Sequence, residues 1–161
     1  MTLLKNGVPS QEQVRQKFPS EAVLARPKAI LECYEEIPCN PCSTSCPFKA
    51  ITIGEDINSI PQIDHDKCTG CGICISSCPG LAIIVAQTDS DKAIFKIPYE
   101  FIPVPVPGEK WIGLDRSGNP ICEALIVKAD TKKTNDRTVV VTVETERRFL
   151  YDFITIRCPY E

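Results

Sequence analysis

The chain has 161 residues, 43% of them hydrophobic and 24% charged, with a formal net charge of -3. That balance fits a folded globular chain of one ordinary domain or two very small ones. It excludes the broad basic footprint of a nucleic-acid binder, so "KADTKKTNDR" and "ERR" read as solvated turns.

At the N-terminus, "MTLLKNGVPSQEQVRQKF" lacks the charged-then-apolar pattern of a secretion signal, and no apolar run is long enough to cross a bilayer. The expectation is a cytoplasmic protein with reduced cysteines and no membrane span. Ser10 followed by Gln13 reads as a capping box opening a helix over "QEQVRQKF", with Val14 and Phe18 on one face. Residues 1–27 are therefore expected to form a short helical arm. "PKAILEC", "SIPQID" and "AIIVAQ" read as short strands within the next segment, residues 28–91. From residue 92 to 161 the chain changes character. The runs "AIFKI", "YEFIPV", "EKWIGLD", "ICEALIVKA", "TVVVTVET" and "LYDFITIR" are separated by turn residues and predict a small all-β barrel or sandwich module. Pro98, Pro103, Pro105 and Pro107 cannot donate to a sheet ladder, which marks their stretch as an edge strand, strap or linker.

Ten cysteines call for disulfides, metal or redox chemistry, and eight of them fall between Cys33 and Cys78. "CSTSCPFKAITI" from Cys42 and "CISSCPGLAIIV" from Cys74 match at an offset of 32, so this region is an internal duplication. The second copy, "CTGCGICISSCP", has the C-x2-C-x2-C-x3-C-P spacing that holds a 4Fe-4S cluster in bacterial ferredoxins. The two-residue gaps let Cys68, Cys71 and Cys74 wrap one side of a cuboid, and Gly70 and Gly72 permit close backbone approach with amides turned to sulfur. Pro47 and Pro79 suit the first position of helices starting at Cys46 and Cys78. A four-cysteine zinc site on Cys39, Cys42, Cys68 and Cys71 is the competing reading, but it leaves Cys46, Cys74 and Cys78 unexplained. Cys122 and Cys158 lie in strand patterns and read as small buried hydrophobes.

On "CTGCGICISSCPGLAI" and the partial copy "CNPCSTSCPFKAI", the segment resembles the bacterial two-cluster 2x(4Fe-4S) ferredoxin family. The fold class expected is then α+β, a two-cluster ferredoxin-type domain followed by the β module. In that family the fourth cysteine of each run ligates the other cluster. The resemblance implies one 4Fe-4S cluster on Cys68, Cys71, Cys74 and Cys46, and a second on Cys39, Cys42 and Cys78 that lacks a ligand. The offset maps Cys68 onto Glu36, where the family has cysteine. Cys33, reached by a three-residue bulge, fills that place best, since loop insertions cost little entropy and thiolates suit such clusters. Glu36 as an oxygen ligand and a three-iron cluster remain open. Ile37, Ile51, Ile53, Ile63, Ile73, Ile75, Ile83 and Val85 are the candidate apolar wall around the two clusters.

"PKAILECYEEIPCNPC" with the β-rich tail is also similar, less specifically, to small iron-sulfur subunits of flavin-dependent amino-acid and amine dehydrogenases acting on proline, hydroxyproline or sarcosine-like substrates. That likeness implies an electron-transfer subunit in a hetero-oligomer with a flavoprotein dehydrogenase. The alternative is a free-standing ferredoxin or redox sensor with an accessory β domain. No catalytic residues are identified, and His65, between Asp64 and Asp66, reads as a solvated residue in a polar turn.

Overall fold

The computed structural model describes residues 3–160. Local sequence sets the first elements. After a single helical turn, α1 (Leu3–Asn6), α2 (Gln11–Lys17) begins at Ser10, whose side chain accepts from the Gln13 amide while the Gln13 side chain accepts from the Ser10 amide. This reciprocal cap stabilises a helix too short to persist alone. Packing supplies the rest: Val14, Phe18 and Leu24 enter the main hydrophobic core, so the N-terminal segment is docked on the body.

The cysteine region contributes β1 (Lys28–Leu31), α3 (Pro41–Ser45), β2 (Ile51–Thr52), β3 (Gln62–Ile63), α4 (Ile73–Ser77) and β4 (Ile83–Asp89). The remainder adds β5 (Lys92–Tyr99), β6 (Lys110–Leu114), β7 (Pro120–Asp130), β8 (Val139–Glu146) and β9 (Thr155–Arg157). The chain is predominantly β with few helices. β2 pairs only with β3, and the other seven strands form one antiparallel sheet ordered β1-β4-β5-β8-β7-β6-β9.

This arrangement corrects the expectation of a separate barrel or sandwich. A tight hairpin joins β4 to β5, with Asp89 opposite Lys92, so the ladder runs straight across residue 91. The tail extends the sheet that β1 and β4 begin, which covers an edge the cysteine region would otherwise expose. "YEFIPV" also forms no strand: Tyr99 ends β5, while Phe101 and Ile102 are exposed. Closely spaced prolines lack the donors a ladder needs. Pro98 does lie in β5, opposite Val140, beyond Lys96 where pairing with β4 ends.

The two faces of the sheet bury two cores. Ile30, Ile84, Ala86, Phe95 and Ile97 face the main one, with Trp111 and Phe153. Ala29, Leu31, Ile83 and Val85 face the second, with Ile51, Ile75 and three cysteines. β1 and β4 are apolar on both faces for that reason, which explains the uninterrupted "AIIVA". Full burial of a large side chain such as Trp111 or Phe95 contributes roughly 1.5–3 kcal/mol.

Candidate metal centres

The eight clustered cysteines separate into two sets of four. One cavity is lined by Cys33, Cys39, Cys42 and Cys78, together with Leu31, Ile37, Glu35 and Ile83. A second is lined by Cys46, Cys68, Cys71 and Cys74, with Ala29, Phe48, Ile51 and Ile73. Each set takes three cysteines from one stretch and one from the other copy. The cysteines of the competing zinc site fall into different cavities, Cys39 and Cys42 in the first, Cys68 and Cys71 in the second. Among the described residues no three acidic, histidine or cysteine groups come close enough to hold a single metal ion. Four thiols spread around a wider space suit a soft, multi-atom iron-sulfur group instead.

Each copy of the repeat positions its cysteines in the same way. Cys42 lies within α3 and Cys74 within α4, and Cys46 and Cys78 cap the C-terminal ends of those helices. A turn follows in both: the Lys49 amide donates to the Cys46 carbonyl and the Leu81 amide to the Cys78 carbonyl, each at 3.2 Å. Pro47 and Pro79 therefore occupy the second position of β-turns, where a fixed φ is favourable, and the expectation of helix starts is corrected. The turn swings the next amides back onto sulfur, with Ala50 N–H donating to Cys46 Sγ and Ala82 N–H to Cys78 Sγ, both at 3.4 Å. Ala29 N–H donates likewise to Cys68 Sγ at 3.3 Å. These backbone donors to sulfur belong to alanines. Gly70 serves a different approach: at φ +68°, a Cβ there would lie 2.5 Å from the Pro27 carbonyl oxygen.

Cys33 lies beside the first cavity, and the residue from its bulge that also lines that cavity is Glu35; Glu36 is exposed and outside the lining. The bulge is pinned by distant elements. Lys17 Nζ donates to the Cys33 carbonyl at 2.9 Å and lies 5.3 Å from the Tyr34 ring centroid. Glu32 forms a buried ion pair with Arg116, which also donates to the Tyr151 and Asp152 carbonyls. Tyr34 donates to Glu32, and burial, with that carboxylate second, holds its phenol well above the usual range.

Burial also raises the thiols of Cys33 and Cys42 and pushes Cys74 up to about 12, with neighbouring cysteines adding to the effect. Thiols in that state bind metal only by releasing protons. The apolar wall divides: Ile51, Ile75, Ile83 and Val85 are buried, Ile53 and Ile63 partly so, and Ile37 and Ile73 stand at the cavity mouths with nearly half their surface exposed. His65 is half-buried, its Nε2 3.1 Å from the Ala29 carbonyl oxygen, and burial lowers its pKa. That corrects the solvated reading. Cys158 is buried, and Cys122 packs partly against the main core, in keeping with their reading as small hydrophobes.

Two lysines at the second cavity escaped the sequence reading. Lys28 Nζ donates to the carbonyls of His65 and Cys68 at 2.6 and 2.7 Å, and Lys96 Nζ to that of Gly70 at 2.8 Å. The signal was a lysine within otherwise apolar strands, "PKAIL" and "AIFKI".

Comparison with known proteins agrees with the chemistry of these donors. The family model of the 4Fe-4S dicluster domain matches residues 37–82, a stretch that contains seven of the eight cysteines and leaves out Cys33. A subunit of the Na(+)-translocating ferredoxin:NAD(+) oxidoreductase complex of Acetobacterium woodii is 53% identical over 55 residues, 34% of this chain and 16% of that protein. A selenate reductase subunit of Mesobacillus selenatarsenatis is 40% identical over 62 residues, 38% of this chain and 19% of that one. Pyruvate synthase subunit PorD of Methanocaldococcus jannaschii is 41% identical over 56 residues, 35% of this chain and 63% of its own length. The chain thus spans under two thirds of each of these relatives. No solved structure gives a significant match. The cysteine-bearing segment is similar to 4Fe-4S ferredoxin-type domains over residues 37–82, and the chain carries 4Fe-4S clusters.

Proposed function

We propose that this chain is an electron-transfer protein whose two 4Fe-4S clusters are held by Cys33, Cys39, Cys42 and Cys78 in one cavity and by Cys46, Cys68, Cys71 and Cys74 in the other. The observation that carries the reading is the sorting of eight cysteines into two sets of four, each with one member from the other copy. Such clusters supply one-electron redox chemistry over a wide range of potentials.

The protein's own residues tune that chemistry. The amides of Ala29, Ala50 and Ala82 donate to sulfur, which stabilises negative charge on the thiolates. Leu31, Ile51, Ile75, Ile83 and Val85 exclude water from the space behind both sets of cysteines and lower the local dielectric. Crossed ligation by Cys46 and Cys78 keeps the two sites adjacent, a short path for electrons to enter at one and leave at the other.

The chain acts as a subunit relaying electrons within a hetero-oligomeric oxidoreductase in a reducing, cytoplasmic setting. The relatives named as subunits of such complexes support this, as does a sheet and N-terminal segment larger than a free carrier needs. A flavoprotein dehydrogenase of an amino acid or amine is the partner proposed, on the resemblance of "PKAILECYEEIPCNPC" with its β-rich tail. Anaerobic purification from the native host tests this. Co-elution with a flavin-bearing subunit is expected; elution of the iron-loaded chain as a monomer would favour a free-standing ferredoxin or redox sensor.

A further inference from the structure

The charges around the two cavities differ. Lys28 is a buried residue of β1, and its ammonium is held by the carbonyls of His65 and Cys68. Lys96 reaches from β5 to the carbonyl of Gly70, between Cys68 and Cys71. Neither lysine pairs with a carboxylate among the described residues, whose ion pairs lie elsewhere. A buried ammonium without a counter-charge is strongly unfavourable, and carbonyl dipoles offset only part of the cost. An anionic group in the second cavity supplies the missing charge.

The first cavity has one lysine on its backbone where the second has two: Lys17 donates to the Cys33 carbonyl, Glu35 at the lining and Glu36 beside it are exposed to solvent, and Glu32 is neutralised by Arg116. At the second cavity, Asp64 is paired with Lys67, and Asp66 is exposed to solvent, where its charge is screened. The two lysines therefore dominate the field at the second site, and low dielectric strengthens it.

We propose that Lys28 and Lys96 make the second cavity the higher-potential site, so that one added electron resides on the side of Cys46, Cys68, Cys71 and Cys74. This rests on the assignment of four cysteine ligands to each cluster. Reduction adds one negative charge and needs no proton, so two nearby cations favour the reduced form directly. Electrons then settle from the Cys33 side toward the Cys71 side, and Cys71, the exposed member of the eight, marks the face from which they leave.

The test is an anaerobic redox titration of the full chain with dithionite and mediators, followed by electron paramagnetic resonance. Iron and sulfide are counted first in every sample. Wild type is expected to show two separate one-electron steps. Lys96→Met should lower the higher step by about 59 mV, a tenfold change in the ratio of reduced to oxidised protein, and leave the lower step in place. Lys96→Arg should leave both where they were, and Lys28→Met should act in the same direction as Lys96→Met. If Lys28→Met loses iron, Lys96→Met decides alone. Full iron content with both steps unmoved in Lys96→Met, or a fall in the lower step only, would overturn the proposal. A wild-type protein with half the iron would overturn the eight-ligand assignment instead.

Discussion

Arg116→Met removes one half of a buried ion pair that ties the β6–β7 turn to the residue before Cys33. The Arg116 and Glu32 side chains are only 9% and 8% exposed, and Arg116 also satisfies the carbonyls of Tyr151 and Asp152 at 2.7 and 3.2 Å. Its loss strands a carboxylate and two carbonyls away from water, a change that costs about 3–5 kcal/mol for a buried pair. With a urea dependence of about 2 kcal/mol/M, the unfolding midpoint should fall by about 1.5–2.5 M. Trp111, the sole tryptophan and fully buried, reports the transition by fluorescence, measured anaerobically on the iron-loaded chain. Combining Arg116→Met with Glu32→Leu removes both charges and should recover the part of the loss that comes from the stranded carboxylate, while the Tyr151 and Asp152 carbonyls and the Tyr34 hydroxyl stay without their partners. A single substitution that moves the midpoint by less than about 0.5 M, or a double variant no more stable than the single, would refute the reasoning.

Three further outcomes are expected. Cys33→Ala should cost the first site an iron or its whole cluster, whereas Glu36→Ala should keep full iron content; equal iron in both variants would show that Cys33 is dispensable. Gly70→Ala forces a positive φ, at about 1–2 kcal/mol, and drives a methyl group to 2.5 Å from the Pro27 carbonyl oxygen. Iron should fall by about half, lost from the second site. Burial, with Glu146 adding to it, pushes the Cys122 thiol up to about 11 from 9.0. The folded chain therefore keeps a proton that the unfolded chain releases, so this group's contribution to stability is present below pH 9 and declines as pH rises toward 11. Cys122→Ala should flatten that part of the stability–pH curve, and an unchanged slope would contradict the assignment.

Local chemistry was legible in the sequence where one short stretch decides the outcome. Ser10 and Gln13 specify the cap of α2 without help from the fold, and the repeat at an offset of 32 reveals the duplication, while the crossed sorting of the cysteines follows from the ferredoxin resemblance. Non-local pairing was less legible. The tail's strands were recognisable as strands, but their union with β1 and β4 depends on the β4–β5 hairpin, and "DSD" reads equally well as a domain boundary. Pro47 and Pro79 show a related ambiguity. A proline after a cysteine suits a helix start and a β-turn alike, and the choice is made by α3 and α4 ending at Cys46 and Cys78. Lys28 and Lys96 are hard to read because strand periodicity reports burial, and a lysine in such a strand acquires its meaning only when the loop carbonyls of Cys68 and Gly70 fold onto it. The same holds for Glu32 and Arg116, 84 residues apart in sequence.

The most direct measurement is the iron and acid-labile sulfide content of the anaerobically purified chain. Two clusters of four predict about eight irons and eight sulfides per chain. Bound zinc with no labile sulfide, or about four irons at full occupancy, would contradict the account.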